Sequence, residues 1–339
     1  MFNHNDTITL ILHDELPMKD FQKELGNELL ASVSRSFFLS LRFLPERMRE
    51  ATSLGYLLAR LSDTIADTEA LPEIERLGVL SDIGQAIQLG GQFPDFSSLS
   101  LGSELTDGEN ILLQKSGHCL EWLNCQKEDF AKPIRKVMES IIRGQSNDLR
   151  KFSSNNLECL QSDEELDQYL YDVAGSVGVF WTEIGFVSYD DKFSIQDNET
   201  LIKLGADYGK SLQLINILRD FPQDFISGRC YFPGNFDNYT DQEIWEEVSD
   251  HWIEKCRSFM SSSSNYVEAL RSSRIRFSTG LPAIIGTQTL NLIQQATWEK
   301  MKDRIKVDRK RVKVMLFQTA MSSLTNRGIS KRILKSLKV

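Results

Sequence analysis

Acidic side chains recur four residues apart in two stretches of the sequence, a spacing that could serve to bind a metal ion. In the first stretch, GYLLARLSDTIADTE at 55–69, Tyr56, Arg60, Asp63 and Asp67 follow one another at intervals of four, three and four residues. On an α-helix these intervals place all four side chains on one face. The surrounding residues are apolar, which predicts a buried helix, and buried charges are costly unless they are paired or bound to metal.

Two carboxylates four residues apart on a helix repel each other, and a divalent cation would turn that repulsion into attraction. Carboxylate oxygens suit magnesium, which keeps several waters and shares its remaining positions with substrate phosphates. The spacing of Asp63 and Asp67 alone is equally compatible with a surface helix whose two acids have an arginine partner. This segment by itself leaves both interpretations open.

The second stretch, YGKSLQLINILRDFPQD, repeats the arrangement. Its polar residues Gly209, Gln213, Asn216, Asp220 and Asp224 recur at intervals of four, three, four and four residues among leucines and isoleucines. Two polar lines of this kind, far apart in sequence, have a simple joint explanation. They indicate two helices that face each other across a cavity, with metal between their aspartates.

Three more residues bear on the second stretch. Arg219 and Arg229 supply guanidinium groups that could hold phosphate oxygens through paired hydrogen bonds. Pro222 lacks a backbone N–H and disfavours helical geometry at the residue before it. We therefore expect the helix to kink or end between the two aspartates.

Small residues mark two further helical segments that fit the same cavity. In IIRGQSNDL, Gly144 and Asp148 share one helix face. In QYLYDVAGSVGVFW, a run of small residues at 174–178 interrupts an otherwise good helix. Small residues would leave room for a bulky ligand, and tight packing between helices explains them equally well.

The whole sequence predicts an all-α protein. Apolar residues recur with helical periodicity, and alternating strand patterns are missing. A chain of 339 residues with 41% hydrophobic content can bury a large core, and no shift in composition marks a linker between domains. Loops are predicted at 89–108, 153–163 and 233–241. Helices are predicted at about 30–70, 72–89, 110–128, 131–151, 164–187, 198–222, 242–260, 262–272, 281–301 and 308–322.

Composition and charge argue against several classes of protein. The net charge of −9 argues against general nucleic-acid binding. The five cysteines and four histidines lack metal-site spacing, which favours reduced thiols in a cytoplasmic protein. The N-terminus lacks the pattern of a signal peptide, and no window predicts a transmembrane anchor. The basic stretch from Lys302 to Lys313 is more typical of a solvated helix face than of a phosphate site.

Five segments resemble the squalene/phytoene synthase family and occur in the family's order, over roughly 30–320. They are SRSF at 34–37, DTIAD at 63–67, GQSNDL at 144–149, YLYDVAGSVG at 169–178, and QLINILRDFPQD with GRCYFP at 213–233. The resemblance implies a single-domain, all-α isoprenoid-synthase helical bundle around a central cavity. The implied division is an N-terminal extension at 1–25, a catalytic domain at 26–330 and a C-terminal tail at 331–339.

The resemblance also implies the residues of the site. Asp63, Asp67, Asp220 and Asp224 would bind the magnesium ions that hold the substrate diphosphates, and they count as catalytic for that reason. Tyr169 would be the acid/base group near the first carbocation. The residues implied to contact diphosphate or to support the metals are Ser34, Arg35, Ser36, Tyr56, Arg60, Gln213, Asn216, Arg219 and Arg229.

Three positions depart from the family pattern. Ala66 replaces an acidic residue that is common in the first motif, Gln223 replaces the usual glutamate of the second, and Gln145 stands where methionine is common. The four aspartates remain, so we expect activity, with a changed metal affinity or substrate choice.

The implied reaction is the head-to-head condensation of two farnesyl diphosphates, through presqualene diphosphate, to squalene. NADPH would supply the final hydride, and the oily product suggests transient contact with the membrane periphery. Phytoene or dehydrosqualene synthesis is the nearest alternative. A non-catalytic scaffold relative of the family and a one-substrate terpene cyclase are alternatives of other classes.

Overall fold

The computed structural model describes residues 20–34, 37–99, 101, 105–153, 156–236 and 240–338. Over these residues the chain is mainly helical, which confirms the predicted all-α class. The helices are α1 (Asp20–Glu24), α2 (Leu30–Ser34), α3 (Phe37–Phe43), α4 (Glu46–Asp67), α5 (Glu73–Leu89), α6 (Asp107–Gln114), α7 (Ser116–Asn124), α8 (Glu128–Lys151), α9 (Asp163–Leu170), α10 (Ser176–Tyr189), α11 (Asn198–Ile226), α12 (Asp241–Ala269), α13 (Ser273–Gln294), α14 (Trp298–Lys302), α15 (Arg309–Ser323) and α16 (Gly328–Leu337).

Short elements of other kinds join these helices. Two π-helical turns, Leu25–Leu29 and Tyr171–Gly175, continue α1 into α2 and α9 into α10. Two 3₁₀ turns cover Phe96–Ser98 and Asp190–Lys192. The strands β1 (Glu158–Cys159) and β2 (Arg229–Cys230) pair in parallel, a contact that the sequence did not predict.

The core consists of two clusters of buried apolar side chains. One cluster joins α4, α5, α7 and α8 and includes Leu57, Ile83 and Ile134. The other joins α11, α12 and α13 around the fully buried Phe221. The segment assigned to a C-terminal tail, 331–339, is helical as far as Leu337 and buries Ile333 in this second cluster.

The helices α10 and α11 cross in close contact through small residues. A Cβ atom on Gly178 would lie 1.8 Å from the carbonyl oxygen of Gly205, and one on Gly209 would lie 2.1 Å from that of Ala174. Both Gly178 and Gly209 also border the central cavity. The small residues therefore serve tight packing and open space for a ligand at once.

Several boundaries differ from the sequence-based expectation. The helices predicted at 30–70, 110–128 and 281–301 are each divided into shorter helices. Two further differences have a local cause. The helix α11 continues through Pro222 and ends at Ile226, since losing one backbone hydrogen bond four residues before the end of a helix is tolerable. The predicted break between the helices at 242–260 and 262–272 is also absent. The helix α12 continues through this region to Ala269. Ser261, Ser263 and Ser264 donate their hydroxyl protons to carbonyls of their own helix, which lets this serine run remain helical.

Candidate active site

A cavity of about 540 Å³ lies between α4, α8, α10, α11 and α13, a size typical of a small-molecule site. Its polar lining residues include Asp63, Asp67, Gln145, Asp148, Tyr169, Gln213, Asn216, Arg229 and Tyr231. Most of these are linked to one another by hydrogen bonds or by charge. The apolar part of the wall includes Phe37, Leu41, Val137, Ile141, Val173, Val177, Phe180, Trp181, Leu212 and Pro282.

The first aspartate pair lies on the cavity wall, at the C-terminal end of α4. Burial among protein atoms, together with the charge of Asp67, raises the pKa of Asp63 to about 7. The side chain of Asp63 is still 46% exposed, because it faces the cavity. Gln145 Nε2 donates a hydrogen bond to Asp63 Oδ1 at 2.6 Å, and the buried Gln145 Oε1 has no hydrogen-bond partner among the described residues.

Arg60 reaches from the same helix face toward two carboxylates. It forms a salt bridge with Glu109 of α6 and lies 3.8 Å from Asp63. Glu109 also closes the N-terminal capping box of α6 with Thr106. The capped end of α6 therefore fixes the guanidinium next to the first aspartate pair.

The second aspartate pair lies near the C-terminal end of α11, where arginines compensate one of its members. Arg219 Nε and Arg304 Nε each donate to Asp220 Oδ1 at 2.9 Å. Burial alone would raise the pKa of Asp220, but these two guanidinium groups outweigh it and lower the pKa. Burial and the neighbouring Asp220 raise the pKa of Asp224 to about 7.

Arg229 connects the two pairs electrostatically. Burial raises the pKa values of Asp67, Asp148 and Asp224, and the charge of Arg229 lowers each in part. Its guanidinium lies 3.7 Å from Asp148. The two helices thus bring aspartates from distant parts of the sequence around a shared arginine.

The position of Arg229 depends on the small parallel sheet. Arg229 is in register with Glu158 of β1, directly after Gly228. Gly228 has φ of +85°, a backbone conformation that favours glycine, and a Cβ atom there would lie 3.1 Å from the carbonyl oxygen of Asn156. The glycine lets the chain turn from α11 into β2 and hold Arg229 at the cavity.

Tyr169 belongs to a half-buried group of interacting side chains on the cavity wall. Its ring stacks on that of Tyr231 with 4.9 Å between centroids, and Tyr231 Oη donates to Asp148 Oδ1 at 2.8 Å. Burial, then the charge of Asp148, raises the pKa of Tyr169 well above its usual value, so the phenol keeps its proton. Tyr169 can therefore donate a hydrogen bond or a proton inside the cavity.

The π-helical turn that follows Tyr169 is fixed by a charge pair between the exposed Arg143 and the buried Asp172. Arg143 on α8 donates to Asp172 from Nε at 3.2 Å and from a terminal nitrogen at 2.5 Å. Gln168 Nε2 donates to the same carboxylate at 3.0 Å, and Asp172 is almost fully buried. These contacts tie the Tyr169 segment to α8 and fix where the tyrosine enters the cavity.

The structure separates the predicted site residues into three groups. The cavity wall includes Tyr56, Asp63, Asp67, Tyr169, Gln213, Asn216 and Arg229. Residues near it but not on its wall are Arg60, Arg219, Asp220 and Asp224. Ser34 is buried and donates to Leu30 O at 2.5 Å, and Arg35 and Ser36 lie outside the described residues.

The structure places at the site several residues that were not predicted from the sequence. They are Glu109, Gln145, Asp148, Tyr231 and Arg304. Asp148 and Tyr231 lie within the motifs GQSNDL and GRCYFP, so these motifs pointed to them. Glu109 and Arg304 lie outside every motif, and only the folded chain brings them to the aspartates.

The donor set fits a hard divalent cation. Asp63, Asp67 and Asp224 all have raised pKa values, which means that their charged forms lack compensation in the protein alone. Among the described residues, no three acidic, histidine or cysteine side chains already converge as a metal site. Carboxylates that lack compensating charge are ligands that magnesium can bind together with substrate phosphates.

The fold and the cavity define an all-α protein of the isoprenoid-synthase type. The chain belongs to the squalene/phytoene synthase family, whose model matches residues 30–317. It is 28% identical over 227 residues to squalene synthase ERG9 of Saccharomyces cerevisiae, covering 66% of this chain and 46% of that protein. It is 27% identical over 245 residues to a bifunctional lycopene cyclase/phytoene synthase of Colletotrichum graminicola, covering 70% and 40%. The chain spans about half the length of these curated relatives.

Solved structures show the same fold. A complex of TcSQS with the ligand E5700 superposes with a TM-score of 0.74 at 20% identity, over 94% of this chain and 90% of that one. A dehydrosqualene synthase in complex with a ligand superposes with a TM-score of 0.59 at 17% identity, over 89% and 97%. Within the described residues, no helix combines the length and apolar content needed to cross a membrane.

Proposed function

We propose that the protein is a magnesium-dependent prenyltransferase that joins two farnesyl diphosphates head to head, through presqualene diphosphate, to squalene. One observation carries the proposal: Asp67 of α4 and Asp224 of α11 both feel the charge of Arg229, which lines the polar part of an otherwise apolar cavity. The polar part suits diphosphate groups, and the apolar wall suits isoprenyl chains. Membership of the squalene/phytoene synthase family supports this type of reaction.

The polar residues would bind and orient the diphosphates. Asp63, Asp67, Asp220 and Asp224 would hold magnesium, which supplies neutralisation of the charge that grows on a leaving diphosphate. Arg229 faces the cavity and can donate paired hydrogen bonds to phosphate oxygens. Such donors, fixed before the reaction begins, stabilise developing negative charge.

The apolar wall would exclude water from the allylic cation. Trp181 Nε1 donates to Thr279 Oγ1 at 3.1 Å, which fixes the orientation of the indole beside the cavity. Phe180 packs against Gly55, where a Cβ atom would lie 2.8 Å from the phenyl ring. Aromatic faces stabilise cations, and a dry wall protects a carbocation from capture by water.

Tyr169 is proposed as the acid/base group of the first half-reaction. Replacing Tyr169 with phenylalanine should slow the formation of presqualene diphosphate by about 10²-fold, because the protonated phenol can no longer donate in the transition state. Single-turnover measurements would give this rate separately from substrate binding. Tyr171→Phe, two residues away and off the cavity wall, is the matched control. A change in the Michaelis constant alone would show that the acid/base role is wrong.

The choice of substrate is tested by product analysis. The protein is incubated with magnesium and with C15 or C20 allylic diphosphates, with and without NADPH, and the hydrocarbons are identified. Squalene from the C15 substrate with NADPH supports the proposal. Phytoene from C20, or dehydrosqualene from C15 without reduction, would move the assignment to the alternative that the phytoene synthase relatives favour. No diphosphate release with any substrate would favour the scaffold alternative.

Stabilisation by magnesium should depend on pH. Asp63 and Asp224 have pKa values raised from 3.8 to about 7, so in the metal-free protein their stabilising contribution is present at low pH. It is lost as the pH rises from about 4 to 7, because over this range the two carboxyl groups ionise in the unfolded protein while they stay protonated in the folded one. Magnesium binds those charged forms, so its effect on the unfolding temperature should be larger at pH 8 than at pH 6. Scanning calorimetry with and without magnesium measures this shift in unfolding temperature. An equal shift at both pH values would contradict magnesium binding by Asp63 and Asp224.

A further inference from the structure

Four large apolar side chains form one exposed stripe on α15 and its C-terminal cap. Val314, Phe317, Met321 and Leu324 are 53%, 69%, 55% and 66% exposed. Their intervals of three, four and three residues place them on one helix face. In the described ranges, no other helix carries more than two large apolar residues this exposed, and the two on α5 lie at its opposite ends. An exposed apolar stripe of this kind marks an interaction surface.

The other face of α15 is fixed against the body of the protein. Met315, Thr319 and Ser323 are buried, and Arg276 Nε on α13 donates to Ser323 O at 3.0 Å. The orientation of the helix is therefore set by packing. The apolar stripe faces outward as a consequence.

The residues around the stripe are strongly basic, although the chain as a whole is acidic. From Arg304 to the last residue there are eleven lysines and arginines and a single acid, Asp308, in a chain of net charge −9. Lys310 lies in line with the stripe, one turn before Val314, and Lys313 lies at its edge. Both lysines are exposed. The neighbouring α16 contains no acidic residue.

The stripe is close to the helices that form the apolar wall of the cavity. The helix α15 packs on α13, whose residues Ser278, Thr279 and Pro282 line the cavity. Phe277 of α13 also packs edge-on against Phe43 of α3, with 5.0 Å between ring centroids. If the proposed function holds, an apolar product would form next to this surface.

We propose that α15 docks on an anionic lipid bilayer, with the apolar stripe inserted at the interface and Lys310 and Lys313 paired with lipid phosphates. An amphipathic helix that joins an apolar face to clustered lysines binds such surfaces. A second copy of the chain fits less well, because pairing two α15 faces would bring two basic patches together. If the proposed function holds, the bilayer is the surface on which the reaction would take place.

The test measures binding of the whole chain to vesicles. The vesicles consist of phosphatidylcholine alone or with about a third phosphatidylglycerol, an anionic lipid whose field attracts basic segments. We expect binding to the anionic vesicles, weak binding to the neutral ones, and release at about 1 M salt, where charges are screened within about 3 Å. Absence of binding to the anionic vesicles would overturn the proposal.

Variants separate the two components of the surface. Phe317→Ser with Met321→Ser should lower the vesicle partition coefficient by at least about tenfold, because two inserted side chains are lost. Lys310→Glu with Lys313→Glu should remove the preference for anionic lipid. The control Ile74→Ser with Leu89→Ser changes two exposed apolar residues of α5 and should bind like the wild type. Thermal unfolding checks that each variant is folded.

Two outcomes would contradict the inference. One is unchanged vesicle binding by the α15 variants. The other is a dimer, measured by light scattering, that the serine variants dissociate while vesicle binding is absent. Vesicle binding requires no turnover, so a protein that binds vesicles but releases no diphosphate would contradict the proposed function and leave this inference intact.

Discussion

Replacing Asp63 with asparagine should lower the rate of magnesium-dependent diphosphate release by about 10²- to 10³-fold, the range for losing one preorganised electrostatic contact. The same change should raise the unfolding temperature of the metal-free protein. Asparagine keeps the shape of the side chain and removes a charge that burial and Asp67 disfavour. A rate loss combined with a gain in stability is expected of a functional residue and not of a structural one.

The measurement is a diphosphate-release assay together with thermal unfolding. Asp82→Asn, on the exposed side of α5, removes the same charge far from the cavity and should leave both quantities unchanged. Near-normal turnover by Asp63→Asn would count strongly against the site. A fall in unfolding temperature would instead indicate that Asp63 is held by the protein as a structural charge.

Replacing Gly178 with alanine should destabilise the protein by about 1–3 kcal/mol or more, the usual cost of overpacking a core. The added methyl group would lie 1.8 Å from the carbonyl oxygen of Gly205, which is backbone and cannot rotate away. The helices α10 and α11 would have to separate, and both carry cavity residues. We therefore expect activity to fall together with stability.

A matched substitution shows that the effect comes from this contact. Gly78 lies within α5 with nothing within 4 Å of an added Cβ atom. Gly78→Ala should stabilise the protein by about 0.5–1 kcal/mol, because alanine loses less conformational entropy in a helix. Urea unfolding compares the two variants. Equal free energies of unfolding for both would contradict the close approach of the helices.

The sequence predicted those parts of the fold and site that depend on position along a helix. The spacing of Asp63 and Asp67 follows from the helical repeat, and both lie on the cavity wall as expected. The resemblance to the family supplied Tyr169, which also lies there. The functional roles of these residues stay predictions until they are measured.

Contacts across space were not predictable in the same way. The salt bridge of Arg60 with Glu109 and the pairing of Asp220 with Arg304 join residues 49 and 84 positions apart. No periodic pattern encodes such pairs, because they depend on how the helices pack. From the sequence, Gln145 was only a departure from the family pattern. The structure shows that its side chain donates a hydrogen bond to Asp63.

The pairing of β1 with β2 couples the connection between α8 and α9 to the polar end of the cavity. Among the described residues, the strand pairing consists of Glu158 with Arg229 and Cys159 with Cys230. Lengthening or shortening that surface connection would shift the strand register and draw Arg229 away from its aspartates. If the proposed function holds, a change in the length of this loop would alter the reaction without altering a single residue of the cavity wall.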